Sequence, residues 1–522
     1  MSRKRAQRLR PLTAFVLLAC ACHPAHARQK PAAAGDPLTR IEQSIGQGRF
    51  EEAEGPLLAY AVAHPTDVRA LELLAGLRLR QSRFDEAEAL YRRVLALDPS
   101  RAEAKLNLAH AVYESGRPGE ARALLVEAAK STHADPVAGL ALAEALLHVG
   151  EFQTALDVAE KLPAASKSAG ALPVIAASLL ALGERQKLTA LLPAMRRTAS
   201  APSIAARCAE VLAGAGMNAE ALALLRAALA SAPDDPGVLL PLGRLETAAG
   251  NLTTARRHLG RAVALRPSSA EALSALAALE SAEGNLGTAL DQLKKARTFS
   301  PDSAPVLVQL TLTAMRANQP ATAVEAARKL LTLDPEEPES LYLFGAASLQ
   351  QGSLDAARQA LERFVNKRPD DARGCLALGI TFAGQQDEAE AARAQFERCL
   401  RLDPANVEAE YQLGLLFKSE GEAAKATPLL EDVIARAPKH ARALRGLGAL
   451  YLQAGETAKA RAVLERAVAL NPDDAETHFH LSRVYSRLGQ SALAESHLAL
   501  FKKLKGQSEQ QQKGRGEKTH AP

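Results

Sequence analysis

Prolines recur along this chain at a nearly fixed spacing, and this spacing restricts the possible folds more than any other feature of the sequence. Pro65 and Pro99 are 34 residues apart. Further along the chain, eight prolines follow one another at the same interval, except for one step of 35 residues between Pro369 and Pro404. They are Pro233, Pro267, Pro301, Pro335, Pro369, Pro404, Pro438 and Pro472. Two helix-length segments fill each interval, so the 522 residues predict a solenoid of stacked helix pairs.

Small residues fall into columns when each proline is placed at position 32 of its unit. Position 20 is almost always alanine, as at Ala255 and Ala460, and position 8 is nearly always glycine or alanine, as at Gly243 and Gly448. Two antiparallel helices at close range need small side chains where their axes cross. The columns therefore predict a tightly packed helix pair in each unit.

The remaining columns predict where each helix begins and ends. Position 15 is usually glycine, as at Gly250, and a left-handed cap costs glycine no steric strain. Proline at position 32 cannot continue the second helix. Ser100, Ser268 and Asp473 are each followed three residues later by Glu, which predicts capping boxes for the next helices. Each pair leaves one apolar flank that a neighbouring unit must cover.

These features resemble those of the tetratricopeptide repeat family over residues 36–505, or about fourteen units. The units LLPLGRLETAAGNLTTARRHLGRAVALRP and LRGLGALYLQAGETAKARAVLERAVALNP carry the resemblance most clearly. Leu mostly replaces the family's Trp at position 4. The resemblance implies an all-α fold, a right-handed superhelical solenoid of stacked antiparallel helix pairs.

The regularity of the units predicts how the chain is organised. We expect an N-terminal array over 36–201 and a regular C-terminal array with a capping helix over 202–505, followed by a disordered polar tail over 506–522. Units between 130 and 202 are degenerate, with Leu188 in the alanine column and Pro193 inside the second helix. This stretch is a candidate flexible joint.

The amino terminus, residues 1–27, has the pattern of an export signal, with a cationic segment followed by about a dozen apolar residues. Two processing sites are open. Leu17-Leu18-Ala19-Cys20 resembles a bacterial lipobox, in which Cys20 is lipidated, whereas Ala25-His26-Ala27 fits a signal-peptidase site. We therefore expect an exported protein, either free in the periplasm or anchored to the outer membrane as a lipoprotein, with a short linker over 28–35.

The distribution of charge along the chain and the catalytic motifs it lacks both argue against certain classes of function. The first 19 residues carry five cations and no acid, which accounts for the whole net charge of +5, so no basic footprint of a nucleic-acid binder remains. Common catalytic and metal motifs are missing. His478 and His480 are two residues apart, so they point to different sides of a helix and cannot share a metal. His110, His258 and His497 are interpreted as standing alone. We expect no enzyme, no cofactor and no metal. The alternative is an accessory subunit of an envelope enzyme, such as a glycan-processing or glycosyl-transfer system.

The family resemblance also implies a binding groove, because positions 2, 5, 9 and 12 of the first helices face it and usually hold a peptide. Partners are then proteins or peptides of a secretion or envelope-assembly complex. In the C-terminal third these positions combine rings with cations, which favours acidic or carboxylate-bearing partners. The alternative is that the rings only pack on neighbouring helices and the arginines are solvated. The candidate groove residues are Tyr113, Tyr342, Arg373, Tyr411, Lys418, Arg442, Arg445, Phe479 and Arg483.

Two questions stay open at the level of sequence. Cys375 and Cys399 occupy columns that face each other across one helix pair, which allows either a disulfide bridge or two buried free thiols. Buried free thiols are the ordinary interpretation. Phe479, Phe501 and the amphipathic last helix could mediate self-association or could simply cap the core, so the oligomeric state is not predicted.

Overall fold

The computed structural model describes residues 37–130, 136–163, 170–385 and 387–518. The predicted export signal over 1–27, the lipidation site Cys20 and the linker 28–35 lie outside these ranges. Within them the regular secondary structure is helical and no strand occurs. The predicted all-α class is confirmed.

The chain divides into two compact units between Pro267 and Ser268. The predicted boundary between residues 201 and 202 therefore falls inside the first unit. The described residues of that unit form fifteen α-helices: α1 Pro37–Gly46, α2 Phe50–Ala63, α3 Val68–Arg80, α4 Phe84–Leu97, α5 Ala102–Glu114, α6 Pro118–Ala129, α7 Pro136–His148, α8 Phe152–Lys161, α9 Leu172–Leu182, α10 Arg185–Ala190, α11 Leu192–Arg197, α12 Pro202–Gly214, α13 Asn218–Ser231, α14 Pro236–Ala248 and α15 Leu252–Leu265.

The second unit contains seven regular pairs of a first and a second helix. Its helices are α16 Ala270–Ala282, α17 Leu286–Phe299, α18 Ala304–Arg316, α19 Pro320–Leu333, α20 Pro338–Gln351, α21 Leu354–Lys367, α22 Ala372–Ala383, α23 Ala389–Leu402, α24 Val407–Ser419, α25 Ala423–Arg436, α26 Ala441–Gln453, α27 Thr457–Leu470, α28 Ala475–Arg487 and α29 Ser491–Lys518. With the seven pairs of the first unit, the described residues form fourteen pairs, which agrees with the predicted number.

The turns after the loop prolines place the helix caps one residue later than the sequence pattern suggested. Pro267 and Ser268 form a turn, and Ser269 caps α16 by accepting a hydrogen bond from the Ala272 amide at 3.2 Å. The prediction of Ser268 as the cap was wrong because two residues, rather than one, are needed to reverse the chain. Ser100 does not cap α5 either, since that helix begins after Arg101.

The first helices end as predicted, with a residue in the left-handed region at position 15. Gly250 follows α14 with φ +78°. Asn318 takes the equivalent position after α18 with φ +53°, and asparagine is one of the few other residues that tolerate this region. Position 15 thus requires a left-handed backbone conformation, and glycine is the residue that most often provides it.

Position 8 is small because the second helix of the same pair approaches it closely. A Cβ atom added to Gly243 would lie 2.5 Å from Leu259 Cγ, and one added to Gly448 would lie 2.4 Å from Leu464 Cγ. Both leucines are fully buried at position 24. The sequence predicted this close approach correctly, and the structure identifies position 24 as the contacting column.

The degenerate fifth pair has a broken second helix. In place of one continuous helix it has α10, α11 and a 3₁₀ turn over Thr198–Ser200. The break falls at Leu191, two residues before Pro193, because proline cannot donate the helical hydrogen bond. Leu188 and Met195 are nevertheless buried in a core shared with the pairs on both sides. The residues 130–202 that the structure describes therefore pack continuously.

Arginines at one position of several second helices contact the loop that precedes their own pair. Four of these side chains donate to the carbonyl of the proline 28 or 29 residues earlier: Arg93 to Pro65 at 3.0 Å, Arg363 to Pro335 at 2.8 Å, Arg398 to Pro369 at 2.8 Å and Arg466 to Pro438 at 3.2 Å. The backbone carbonyls that the proline loops leave without helical partners are satisfied in this way.

In the last pair a histidine, rather than an arginine, contacts the carbonyl of the loop proline. Leu500 occupies the arginine column, and His478 Nε2 instead lies 2.8 Å from the Pro472 carbonyl oxygen. His478 Nδ1 lies 2.8 Å from His497 Nδ1, so His478 must donate to the carbonyl and accept from His497. The prediction that His497 stands alone was wrong, because the antiparallel return of α29 brings it onto α28.

The final helix extends through much of the segment for which the sequence predicted a disordered tail. Helix α29 ends at Lys518, and its 28 residues are twice the usual length of a second helix in this unit. Lys, Gln and Glu, which dominate this segment, have good helix propensities, so hydrophilic composition did not prevent helix formation. None of the described helices is both long and apolar enough to traverse a lipid bilayer.

Candidate partner-binding face

The first helices of the second unit form one surface, which we call the first-helix face. Neighbouring first helices contact one another, and side chains near the end of one helix donate to the backbone of the one before it. Three of these bonds span 35 residues each: Arg316 Nη2 to Ser281 O at 3.1 Å, Gln350 Nε2 to Met315 O at 2.9 Å and Arg487 Nη1 to Leu452 O at 2.5 Å. They fix the spacing between successive first helices.

Arg373, which was predicted to bind partners, contacts an aromatic ring and two carboxylates of this protein. Its guanidinium Cζ lies 4.6 Å from the centroid of the Tyr342 ring. Its Nη2 lies 2.9 Å from an Asp371 oxygen and 3.0 Å from a Glu339 oxygen. Hydrogen bonds to Asp371 and then to Glu339 raise the pKa of Arg373 above its usual range. The charge of Arg373 is thus already compensated.

Tyr411 and Arg442 repeat this arrangement two repeats further along the unit. The Arg442 Cζ lies 5.3 Å from the Tyr411 ring centroid, and Nη2 lies 3.5 Å from Glu408 Oε1. His440 covers the ring as well, at 4.6 Å between centroids. Tyr411 is only 2% exposed, so the prediction that it contacts a partner is not supported by its position.

Arg445 is paired with acids of the following repeat. Its Nη1 lies 2.8 Å from Asp474 Oδ1 and 3.2 Å from Glu476 Oε2. From the groove columns alone, this arginine was predicted to be available to a partner. The compensating acids lie in the loop and at the start of the next first helix, about 30 residues away, where single-unit columns did not reveal them.

Two predicted cations lack such compensation. Neither Lys418 nor Arg483 has an ion-pair partner among the residues that the structure describes. Lys418 is half-buried, and burial, followed by repulsion from Arg445, lowers its pKa. Arg483 is exposed, and its Cζ lies 5.9 Å from the Phe479 ring centroid.

His480 lies among these charges and was missed in the sequence. Its Nδ1 is shielded from solvent and has no hydrogen-bond partner within the described part of the chain. Burial and then Lys418 lower the pKa of His480, and Arg483 and Arg445 act in the same direction. The signal that could have found it is its place one residue after the groove column at Phe479. We call Lys418, Arg445, His480 and Arg483 the cationic cluster.

An aromatic surface adjoins the cationic cluster. Phe479 is 36% exposed, and its ring centroid lies 5.2 Å from that of Phe501 on α29. An exposed ring beside uncompensated cations can contact an apolar side chain of a partner while the cations bind an acid. Such paired contacts are typical of the residues that contribute most to binding energy in interfaces.

Tyr113, the remaining predicted groove residue, lies in the first unit and not on the first-helix face of the second. It is half-buried, and its ring packs edge-on against His148 at 5.4 Å. In the ranges that the structure describes, no three His, Cys, Asp or Glu side chains are grouped so that they could hold a metal ion. The structure therefore brings together Lys418, Arg445, Phe479 and Arg483, and not the whole predicted set.

Sequence comparisons agree with this architecture. A family model of the tetratricopeptide repeat matches residues 78–139, 212–279, 314–374, 417–478 and 451–513, which together are more than half of the chain. Two further models of the same repeat match residues 45–102 and 136–161.

Similar proteins include Peroxisome biogenesis protein 5 of Arabidopsis thaliana, 34% identical over 96 residues, and the human PEX5-related protein, 31% identical over 96 residues. Each match covers 18% of this chain, but only 13% and 15% of those proteins' lengths. Among solved structures, the APC/C hetero-tetramer Cut9-Hcn1 is similar over 86% of this chain and 98% of its own, with 14% identity and a TM-score of 0.42.

The repeated helix pairs, their close packing at position 8 and the matches to the repeat models lead to one conclusion. This chain belongs to the tetratricopeptide repeat family, whose members are typically non-catalytic scaffolds for protein–protein interaction.

Proposed function

We propose that this protein is a non-catalytic scaffold that binds acidic segments of partner proteins on the first-helix face of its second unit. The observation that carries the proposal is the cationic cluster. Lys418 and Arg483 lack acidic partners among the described residues, whereas Arg373, Arg442 and Arg445 have them. Burial, and then repulsion from Arg445, lower the pKa of Lys418, and an anion from another molecule would favour its charged form.

Charge and exposure indicate the chemistry of the partner. Carboxylates form strong, charge-assisted hydrogen bonds with guanidinium and ammonium groups. Phe479 offers an apolar surface next to Arg483. The best-fitting ligand is therefore a peptide segment with an acidic residue close to an apolar one.

The test is binding of the full chain to a library of ten-residue peptides of graded Asp and Glu content, measured by fluorescence anisotropy. Retained peptides should be acidic, and Lys418→Ala with Arg483→Ala should weaken their binding. Two charge-assisted contacts at a partly exposed site are worth roughly 1–3 kcal/mol, or about tenfold to a hundredfold in Kd.

A matched control removes the same charge elsewhere in the unit. Lys294 and Lys295 are exposed on the second helix α17, and Lys294→Ala with Lys295→Ala should change Kd by less than about twofold. If the two double variants weaken binding equally, the effect is one of net charge, and the assignment of the site to the cationic cluster is wrong.

We further propose that the protein acts in the bacterial cell envelope as part of a secretion or envelope-assembly complex. The support is the cationic and apolar pattern of residues 1–27 with Cys20 in a lipobox-like sequence. In cells, Cys20→Ala should remove incorporated fatty acid and release the protein from the membrane fraction. A mature protein that begins at Arg28 in both forms would instead mean that the protein is released rather than lipidated.

A further inference from the structure

Two cysteines lie together in the eleventh helix pair, away from the cationic cluster. Cys375 is in the first turn of α22, and Cys399 is in the last turn of α23, the antiparallel partner of α22. Both are free thiols, 1% and 0% exposed. Together with Ala409 of the following repeat they form a small buried cluster of their own.

The two sulfur atoms share one acceptor. Cys375 Sγ lies 3.2 Å and Cys399 Sγ lies 3.3 Å from the carbonyl oxygen of Ala372. The thiols are also close enough to hydrogen-bond each other. Two cysteines on adjacent antiparallel helices with their sulfurs in contact are close to the arrangement that a disulfide requires.

The packing of this helix pair keeps the two sulfurs near each other. A Cβ atom added to Gly379 would lie 2.6 Å from Phe396 Cε1, so α22 and α23 approach each other closely along their length. Gly374, next to Cys375, is equally confined, since its added Cβ would lie 2.7 Å from Phe364 Cδ1. Both contacts hold α22 firmly against its neighbours, so the two sulfurs stay beside the same carbonyl.

The chemistry of the two thiols is unequal. A hydrogen bond from Cys399 lowers the pKa of Cys375 to about 7, whereas the same contact raises the pKa of Cys399. Thiolates are the nucleophiles of disulfide exchange, so Cys375 is the attacking group. Cys208, in the first unit, differs in both respects: it pairs with no other cysteine among the described residues, and burial raises its pKa to about 12.

We propose that Cys375 and Cys399 are a modification site, at which exchange with a small-molecule disulfide forms a covalent bridge between the two helices of this pair. The Cys375 thiolate attacks one sulfur of the oxidant, which gives a mixed disulfide and releases one thiolate that takes up a proton. Cys399 then loses its proton to solvent and attacks the Cys375 sulfur, and the second half of the oxidant leaves as a thiol. The protein gives up two electrons and two protons, and the oxidant becomes two thiols.

The burial of both sulfurs sets how this reaction proceeds. The oxidant reaches Cys375 only when the helix pair opens transiently, so the bridge forms slowly and then holds the pair closed. It joins the start of α22 to the end of α23 and thereby restricts the opening that admitted the oxidant. This inference does not rest on the proposed binding function.

The test uses the full chain, fully reduced, freed of reductant and incubated with oxidised glutathione. Peptide mapping by mass spectrometry should find the peptides of Cys375 and Cys399 joined, with a loss of two hydrogens, while Cys208 remains alkylatable. Hydrogen exchange in residues 372–402 should slow by roughly tenfold or more after oxidation. Cys208→Ser should leave both results unchanged.

Two outcomes would overturn the proposal. One is alkylation of both Cys375 and Cys399 in denaturant after prolonged oxidation. The other is a stable glutathione adduct on Cys375 that Cys399 does not displace. Because the mapping is done on the unaltered chain, poor folding of a cysteine variant cannot obscure either outcome.

Discussion

Two glycines in the seventh helix pair allow a quantitative test of the packing. Replacement by alanine should destabilise the protein at one of them and stabilise it at the other. Gly243 on α14 faces Leu259, and a new methyl group would lie 2.5 Å from its Cγ, 2.7 Å from its Cδ2 and 3.4 Å from its backbone nitrogen. Leu259 is fully buried and cannot turn toward solvent. Gly260, the next residue along α15, has nothing within 4 Å of its added Cβ.

The expected free energies follow from these distances. Overpacking of a filled core costs roughly 1–3 kcal/mol, and the better helix propensity of alanine returns about 0.8–1.0 kcal/mol. Gly243→Ala should therefore lower the free energy of unfolding by roughly 0.5–2 kcal/mol. Gly260→Ala gains the propensity without the clash and should raise it by nearly 1 kcal/mol.

The assay is urea unfolding of both variants and the parent, followed by circular dichroism at equal protein concentration. The midpoint should fall for Gly243→Ala and rise for Gly260→Ala, with helical signal before unfolding unchanged in both. If Gly243→Ala stabilises the protein as much as Gly260→Ala does, α14 and α15 do not approach closely at position 8, and the packing account is wrong.

Two further predictions concern the last helix pair and a helix cap. Burial is the main cause that lowers the pKa of both His480 and His497 below 6.5, so stability is undiminished above pH 6.5 and decreases as the pH falls through the lowered values. In His497→Gln the midpoint of thermal unfolding should depend less on pH between 7.5 and 5.5 than in the parent. The control, His64→Gln at an exposed site, should keep the dependence of the parent. The same dependence on pH in both variants would contradict this prediction. Asp67 accepts hydrogen bonds from two backbone amides at the start of α3, so Asp67→Ala should lower the urea midpoint by the equivalent of roughly 0.5–2 kcal/mol, while Asp67→Asn retains most of it. Equal losses in the two variants would show that the cap does not act through its side-chain oxygen.

Local backbone chemistry explains why so much of the fold could be predicted from the sequence. Proline in a loop, glycine in a left-handed cap and a small residue at a helix crossing each leave a characteristic residue type at a fixed place in most units. Gly250 and Gly243 illustrate this, since the first takes φ +78° and the second leaves no room for a Cβ. The pattern of one unit alone would predict the fold only weakly, but its repetition over fourteen units made the prediction strong.

Features set by two or more units were harder to predict. Arg373 and Arg445 looked available in their columns, but acids of neighbouring turns compensate them. The contact between His478 and His497 depends on the path of the last helix, and the caps depend on the length of the turn. Each of these involves residues that are distant in sequence or a shift of one residue, which periodicity does not specify.

The candidate site shows the same limit. The columns of the repeat place Lys418, Phe479 and Arg483 on the first helices, and their part in binding stays a prediction. Tyr411 is covered by His440 and Arg442 of the next pair, which its own column does not specify. His480 was missed because it stands one residue outside the column.

Site-specific photo-crosslinking in cells tests the central claim most directly. A photoreactive amino acid placed at Phe479 should capture a partner through an acidic segment, and Lys418→Ala with Arg483→Ala should abolish that capture. The same group placed at Lys294 should capture none of this partner. Capture at Phe479 that persists in the double variant, or equal capture at Lys294, would contradict the assignment of the first-helix face as the binding surface.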